Sequence, residues 1–86
     1  MHEMSLIADL MRKIDQVAQQ ENAERVVSVQ VWLGALSHIS ADHFREHFVE
    51  GARGSLAEDA QIKVTESQDV DHQNAQDILL KGIEVV

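Results

Sequence analysis

Leu6, Ile7, Leu10, Met11, Ile14, Val17 and Ala18 recur at three- and four-residue steps and draw one apolar stripe down a helix. A helix with one wet face and one oily face needs a second layer to cover it. This stripe therefore narrows the fold more than any other feature. The helix is predicted from Ser5 to about Asn22, with Ser5 as its cap or Met4–Ser5 as its first turn. A second helix is predicted from Ala41 to about Gly51. Ser40 is its N-cap, Asp42 stands in its first turn, and Phe44, Phe48 and either Val49 or Ala52 face inward. Gly51 and Gly54 read as stop signals.

The covering layer reads as a sheet. Val26 to Leu33 alternates, with Val27, Val29, Val31 and Leu33 on one face and Val26, Ser28, Gln30 and Trp32 on the other. Gly34 ends this strand. Ala60 to Thr65 is a second strand, with Ala60, Ile62 and Val64 inward. Ile78 to Val86 is a third, and its alternation breaks at Gly82, which suggests a bulge. The segment 66–77 between them is polar and loop-like. The order helix, strand, helix, strand, strand predicts an α+β fold: two helices packed on one face of a three-stranded, mainly antiparallel sheet. Strands two and three, adjacent in sequence, are expected to pair antiparallel.

Eighty-six residues make one domain, 1–86, that can bury about 60% of its unfolded surface. No cysteine is present, so neither a disulfide nor a thiolate-bound zinc can assist. Zero cysteine fits a reducing, cytoplasmic setting. No signal peptide and no apolar run long enough for a membrane span is read. The net charge of −8 argues against nucleic acid, whose binding rests on cationic phosphate contacts. No nucleophile with a base, no glycine-rich phosphate loop and no paired catalytic carboxylates are found, so an enzyme is not expected.

Chemistry concentrates at the start of the chain, Met1-His2-Glu3. A free α-amine and the His2 amide nitrogen can close one five-membered ring on a metal. The His2 imidazole can close a second ring, and the Glu3 amide or carboxylate lies next in line. Mostly nitrogen donors in one plane suit Ni(II) or Cu(II) better than zinc, calcium or magnesium. A free amine and an imidazole must both be deprotonated to bind, so affinity should fall below neutral pH. The residues before Ser5 are expected to extend away from the helix, whose positive N-terminal end disfavours a cation slightly. The plain alternative is a histidine that frays in solvent.

Met1-His2-Glu3-Met4-Ser5-Leu6 followed by an amphipathic helix resembles the HypA/HybF family of hydrogenase nickel-insertion proteins. The segment Arg25 to Ser37 is similar to that family's strand ending in Gly-Glu-Leu-Ser, with Ala35 where the family often has glutamate. Gly51 to Ala60 is similar to its Arg-Gly-Thr-Leu-Ala-Glu-Gly stretch, and Ile78 to Val86 to its last strand. The resemblance implies two helices on a three-stranded sheet, and nickel held by the Met1 amine, the His2 imidazole and amide, and the Glu3 amide. It implies a metallochaperone that delivers Ni(II) to a maturing [NiFe]-hydrogenase. The implied partners are a nickel-loading GTPase and the hydrogenase large subunit. The family carries a zinc ribbon with paired Cys-x-x-Cys motifs between its last two strands. Here that place is the short loop 66–77, so no structural zinc is expected. A rival reading is a metal-independent adaptor in hydrogenase maturation that has lost regulated delivery with the zinc module. Its exposed sheet edge would recruit a partner or form a homodimer.

Three further histidines are secondary metal candidates. His43 and His47 share one face of the second helix and can reach one ion. Their surroundings are not His-Glu-x-x-His, so a zinc-protease reading lacks its base. Flanking the buried Phe44 and Phe48 is their plainer role. His72 lies in the 66–77 loop with Asp69 and Asp71, a loose ligand cluster or a solvated linker. His38, in the turn before the second helix, is expected to face water.

Overall fold

The computed structural model describes residues 3–86, with side chains described from Ser5 onward. Its elements are α1 (Glu3–Gln20), β1 (Val26–Leu33), α2 (Ala41–Ala52), β2 (Gln61–Glu66) and β3 (Ile78–Val85), in the order expected. The fold class is α+β, with two helices covering a three-stranded sheet.

The helix α1 buries Ile7, Leu10, Ile14 and Ala18, the stripe read from the sequence. It starts earlier than expected: the backbone at Glu3 is already helical. An acidic residue suits the positive end of the helix, which favours continuing the turn over extending away. At its other end the chain closes in a Schellman motif. The Ala23 amide donates to the Ala18 carbonyl at 3.0 Å and the Asn22 amide to Gln19 at 3.1 Å. Asn22 takes the left-handed position, φ 52°, that this motif needs. That turn ends α1 at Gln20 rather than at Asn22.

Ser40 caps α2 as predicted: its hydroxyl accepts from the His43 amide at 3.1 Å. Such a cap stabilises by about 1 kcal/mol. Phe44, Phe48 and Ala52 face the core, and the two phenyl rings lie 5.9 Å apart. Val49 is 48% exposed, which resolves the inward alternative in favour of Ala52. The helix runs through Gly51, an exposed position, because the buried Ala52 still contributes to the core. It is Gly54, at φ +77°, that turns the chain away.

The sheet order is β2-β1-β3. β1 pairs parallel with β2 and antiparallel with β3, so the sheet is mixed and β2 does not pair with β3. This corrects the expected hairpin. β1 is the most apolar strand and takes the centre, where both neighbours and the helices cover it. The crossover through α2 returns the chain parallel to β1. The 67–77 segment must then carry it from one edge to the other.

Two register shifts set the faces. Opposite β3, the shift between Val26 and Ser28 places Val26 in the core with Val29, Val31 and Leu33. Val27, expected inward, is half-buried instead. The second shift falls where Gln30 faces Gly82 but Val31 faces Leu80. That is the bulge expected near Gly82. It lets Ile78, Leu80, Ile83 and Val85 all pack on the core, which strict alternation forbids.

Candidate metal-binding residues

Both helices begin at the same end of the sheet. Leu6 of α1 lines a hollow with Leu36, Ser37 and His38, which follow β1. The Ala41 amide at the start of α2 donates to the Glu66 carboxylate, the last residue of β2, at 3.3 Å. The structure thus brings the first turns of α1 and α2 to the rim where β1 and β2 end.

Met1 and His2, two of the three residues expected to hold nickel, lie outside the described residues. Of Glu3 only the backbone is described, as the first residue of α1. The first amides of a helix have no intrahelical acceptor. A helical Glu3 therefore keeps the backbone nitrogen that the expected chelate uses.

His43 and His47 are brought together. Their Nε2 atoms are 2.8 Å apart and their ring centroids 4.5 Å apart. His43 is exposed and His47 half-buried. The helix cations nearby face carboxylates: Arg45 lies 3.7 Å from Asp42 and Arg53 3.5 Å from Glu50. Among the described residues, no group of three or more histidine, cysteine, aspartate or glutamate side chains could hold a metal ion.

His72 is not gathered with Asp69 and Asp71. Its Nδ1 accepts from the Asn74 amide at 2.9 Å, and its ring leans on Trp32 at 4.8 Å between centroids. Asp69 accepts instead from the Asp71 amide at 3.0 Å, a local turn. His38 is exposed, as expected, in a left-handed conformation with φ 62°.

The sheet face away from the helices carries a polar cluster that alternation alone did not reveal. The Ser28 hydroxyl donates to Glu84 at 2.7 Å, and the Lys63 ammonium lies 3.3 Å from the same carboxylate oxygen. Lys81 sits 5.8 Å from the Trp32 ring centroid. Ser28 faces Glu84 only because β3 is shifted by the bulge, so an ideal strand register would have missed the contact. The Ser28 hydrogen bond first, and then Lys63 through a hydrogen bond and its charge, hold the Glu84 carboxyl below the usual range. A depressed carboxyl stabilises the fold above its unfolded-state value and loses that contribution as pH falls through the folded-state value. Glu84→Gln should therefore flatten the acid limb of the stability curve below about pH 4.3. Urea melts at stepped pH check this, and an unchanged slope would remove Glu84 from the acid response.

Against known proteins, a family model described as HypA, hydrogenase/urease nickel incorporation, metallochaperone, matches residues 1–76. The chain belongs to the HypA family. Among curated HypA relatives, the hydrogenase maturation factor HypA of Prosthecochloris aestuarii is 34% identical over 65 residues, which cover 76% of this chain and 58% of that protein. The same factor from Rhodopseudomonas palustris strain BisA53 is 36% identical over 64 residues, covering 74% and 57%. The chain thus spans little more than half the length of these HypA relatives. The solution structure of the Ni metallochaperone HypA from Helicobacter pylori superposes with a TM-score of 0.82 at 18% identity, covering 100% of this chain and 98% of that one. That likeness shows a shared HypA fold. Among the described residues, no helix is long and apolar enough to cross a membrane.

Proposed function

We propose that this chain is a nickel metallochaperone that holds Ni(II) at its N-terminus for delivery to a maturing [NiFe]-hydrogenase. One observation carries the reading: the family match begins at residue 1 and so includes Met1-His2-Glu3, the only run in the chain that offers an amine, two amides and an imidazole in sequence. The names of its relatives support the cargo and the destination, since they are called hydrogenase maturation factors and, for the Helicobacter pylori protein, a Ni metallochaperone.

The Met1 amine, the His2 amide and imidazole, and the Glu3 amide would bind nickel in one plane. A site at the chain start leaves the ion open to an acceptor's ligands, which transfer requires. The partners on this reading are a nickel-loading GTPase and the hydrogenase large subunit, met in the cytoplasm. The protein is not itself an enzyme. The loop 66–77 stands where the zinc module is inserted in the family, and a chain without cysteine would deliver nickel without a structural zinc. This short loop is also what favours the adaptor reading, in which the fold persists without delivery.

A Ni(II) titration separates the two. Protein beginning at Met1 should develop the visible absorption of square-planar nickel at one equivalent. Protein with extra residues fused before Met1, which convert the amine to an amide, should not. Equal spectra for the two would reject the N-terminal site, and unimpaired hydrogenase maturation by the fused form would favour the adaptor.

A further inference from the structure

We infer that His43 and His47 form a second site for a divalent transition metal on the outer face of α2. The spacing of their donor atoms fits a shared ion. A histidine nitrogen binds such metals at about 2.0–2.1 Å. Two nitrogens at a right angle about one ion then lie roughly 2.9 Å apart, and at a tetrahedral angle roughly 3.3 Å. The observed Nε2 separation of 2.8 Å, at which the two rings share a hydrogen bond, is within about 0.1 Å of the right-angle value, so an ion can replace the shared proton with little movement. Square-planar and octahedral ions, Ni(II) and Cu(II) foremost, take ligands at that angle, and zinc in its usual tetrahedral form does not.

The helix holds this spacing in place. Residues four apart lie one above the other on a helix. Phe44 and Phe48, the next residue after each histidine, are 0% and 1% exposed and lock the rotation of α2 against the core. The Ser40 cap binds the His43 amide directly, so the first turn is fixed as well. Arg45, between the two histidines in sequence, lies near Asp42, which offsets its charge toward an incoming cation. The described residues offer the ion two ligands and no third. A two-ligand site leaves positions for water, so binding should be weak and fast to exchange. The site lies on the helix whose first turn shares the sheet's rim with the start of α1.

The test uses the full chain carrying His2→Ala, titrated with Ni(II) alone by calorimetry. That protein should still bind one nickel, more weakly than the parent. Adding His47→Ala should weaken this residual binding about 100-fold, the gain that an intramolecular second ligand confers. Equal residual binding with and without His47 would overturn the site. Long-range proton–nitrogen spectra of the His2→Ala protein provide a readout that survives a variant's failure to fold. The His43 and His47 Nε2 resonances should both broaden with substoichiometric Ni(II), and unchanged resonances would overturn the site equally. Nickel at the two helix histidines without any effect of His2 would sink the proposed function and keep this site; the reverse pattern would do the opposite.

Discussion

Gly34→Ala should cost the fold about 3 kcal/mol or more. A Cβ built on Gly34 would stand 2.2 Å from the Ala75 carbonyl oxygen and 2.7 Å from that of Asn74. Both are backbone atoms, so no side-chain rotation can make room. The segments are also tied to each other. The Gly34 amide donates to the Asp77 carbonyl at 2.9 Å and the Leu36 amide to the Ala75 carbonyl at 2.7 Å. Relieving the overlap means breaking these bonds and lifting the buried Ala75 away from the end of β1. A domain of this size has a total stability of about 4–13 kcal/mol, so the variant would lose a large share of it. Denaturant melts of the two proteins decide the matter. A midpoint for Gly34→Ala close to the parent's would mean that the 67–77 segment does not close on β1 this way.

His2→Ala should lower Ni(II) affinity at the N-terminus at least about 100-fold, because it removes an intramolecular imidazole and the chelate ring that it closes. The fold should be kept, since the described core is built from residues between Ile7 and Ile78. Calorimetry of both proteins at neutral pH measures the loss, and melting curves serve as the control. Parent-like affinity in the variant would discard Met1-His2-Glu3 as the site. The loss would also differ from that caused by acid. Lower pH weakens the parent gradually as amine and imidazole protonate, whereas the variant lacks the ring at every pH.

The two predictions draw on different kinds of information. The proposed nickel ligands are neighbours in sequence, because a chelate of consecutive residues needs no fold to assemble it. The α1 stripe, the Ser40 cap and the Gly82 bulge were legible for a similar reason. Each is a local pattern whose period or hydrogen bond closes within a few residues. Gly34 could be read only as the end of a strand, because the atoms that forbid a side chain there belong to a loop some forty residues later.

Sequence by itself thus determined the element order, the faces of the helices, the metal-friendly chain start and the four-residue spacing of His43 and His47. Tertiary structure decided which strand sits in the middle, that β2 runs parallel to β1, and that Val26 rather than Val27 enters the core. It also brought Ser28 and Lys63 to Glu84, and His72 to Trp32 instead of to Asp69 and Asp71. The physical reason is that periodicity reports which side of an element is apolar. Strand order and register depend instead on how all the apolar sides can be covered at once, and that competition is settled only when the whole chain packs.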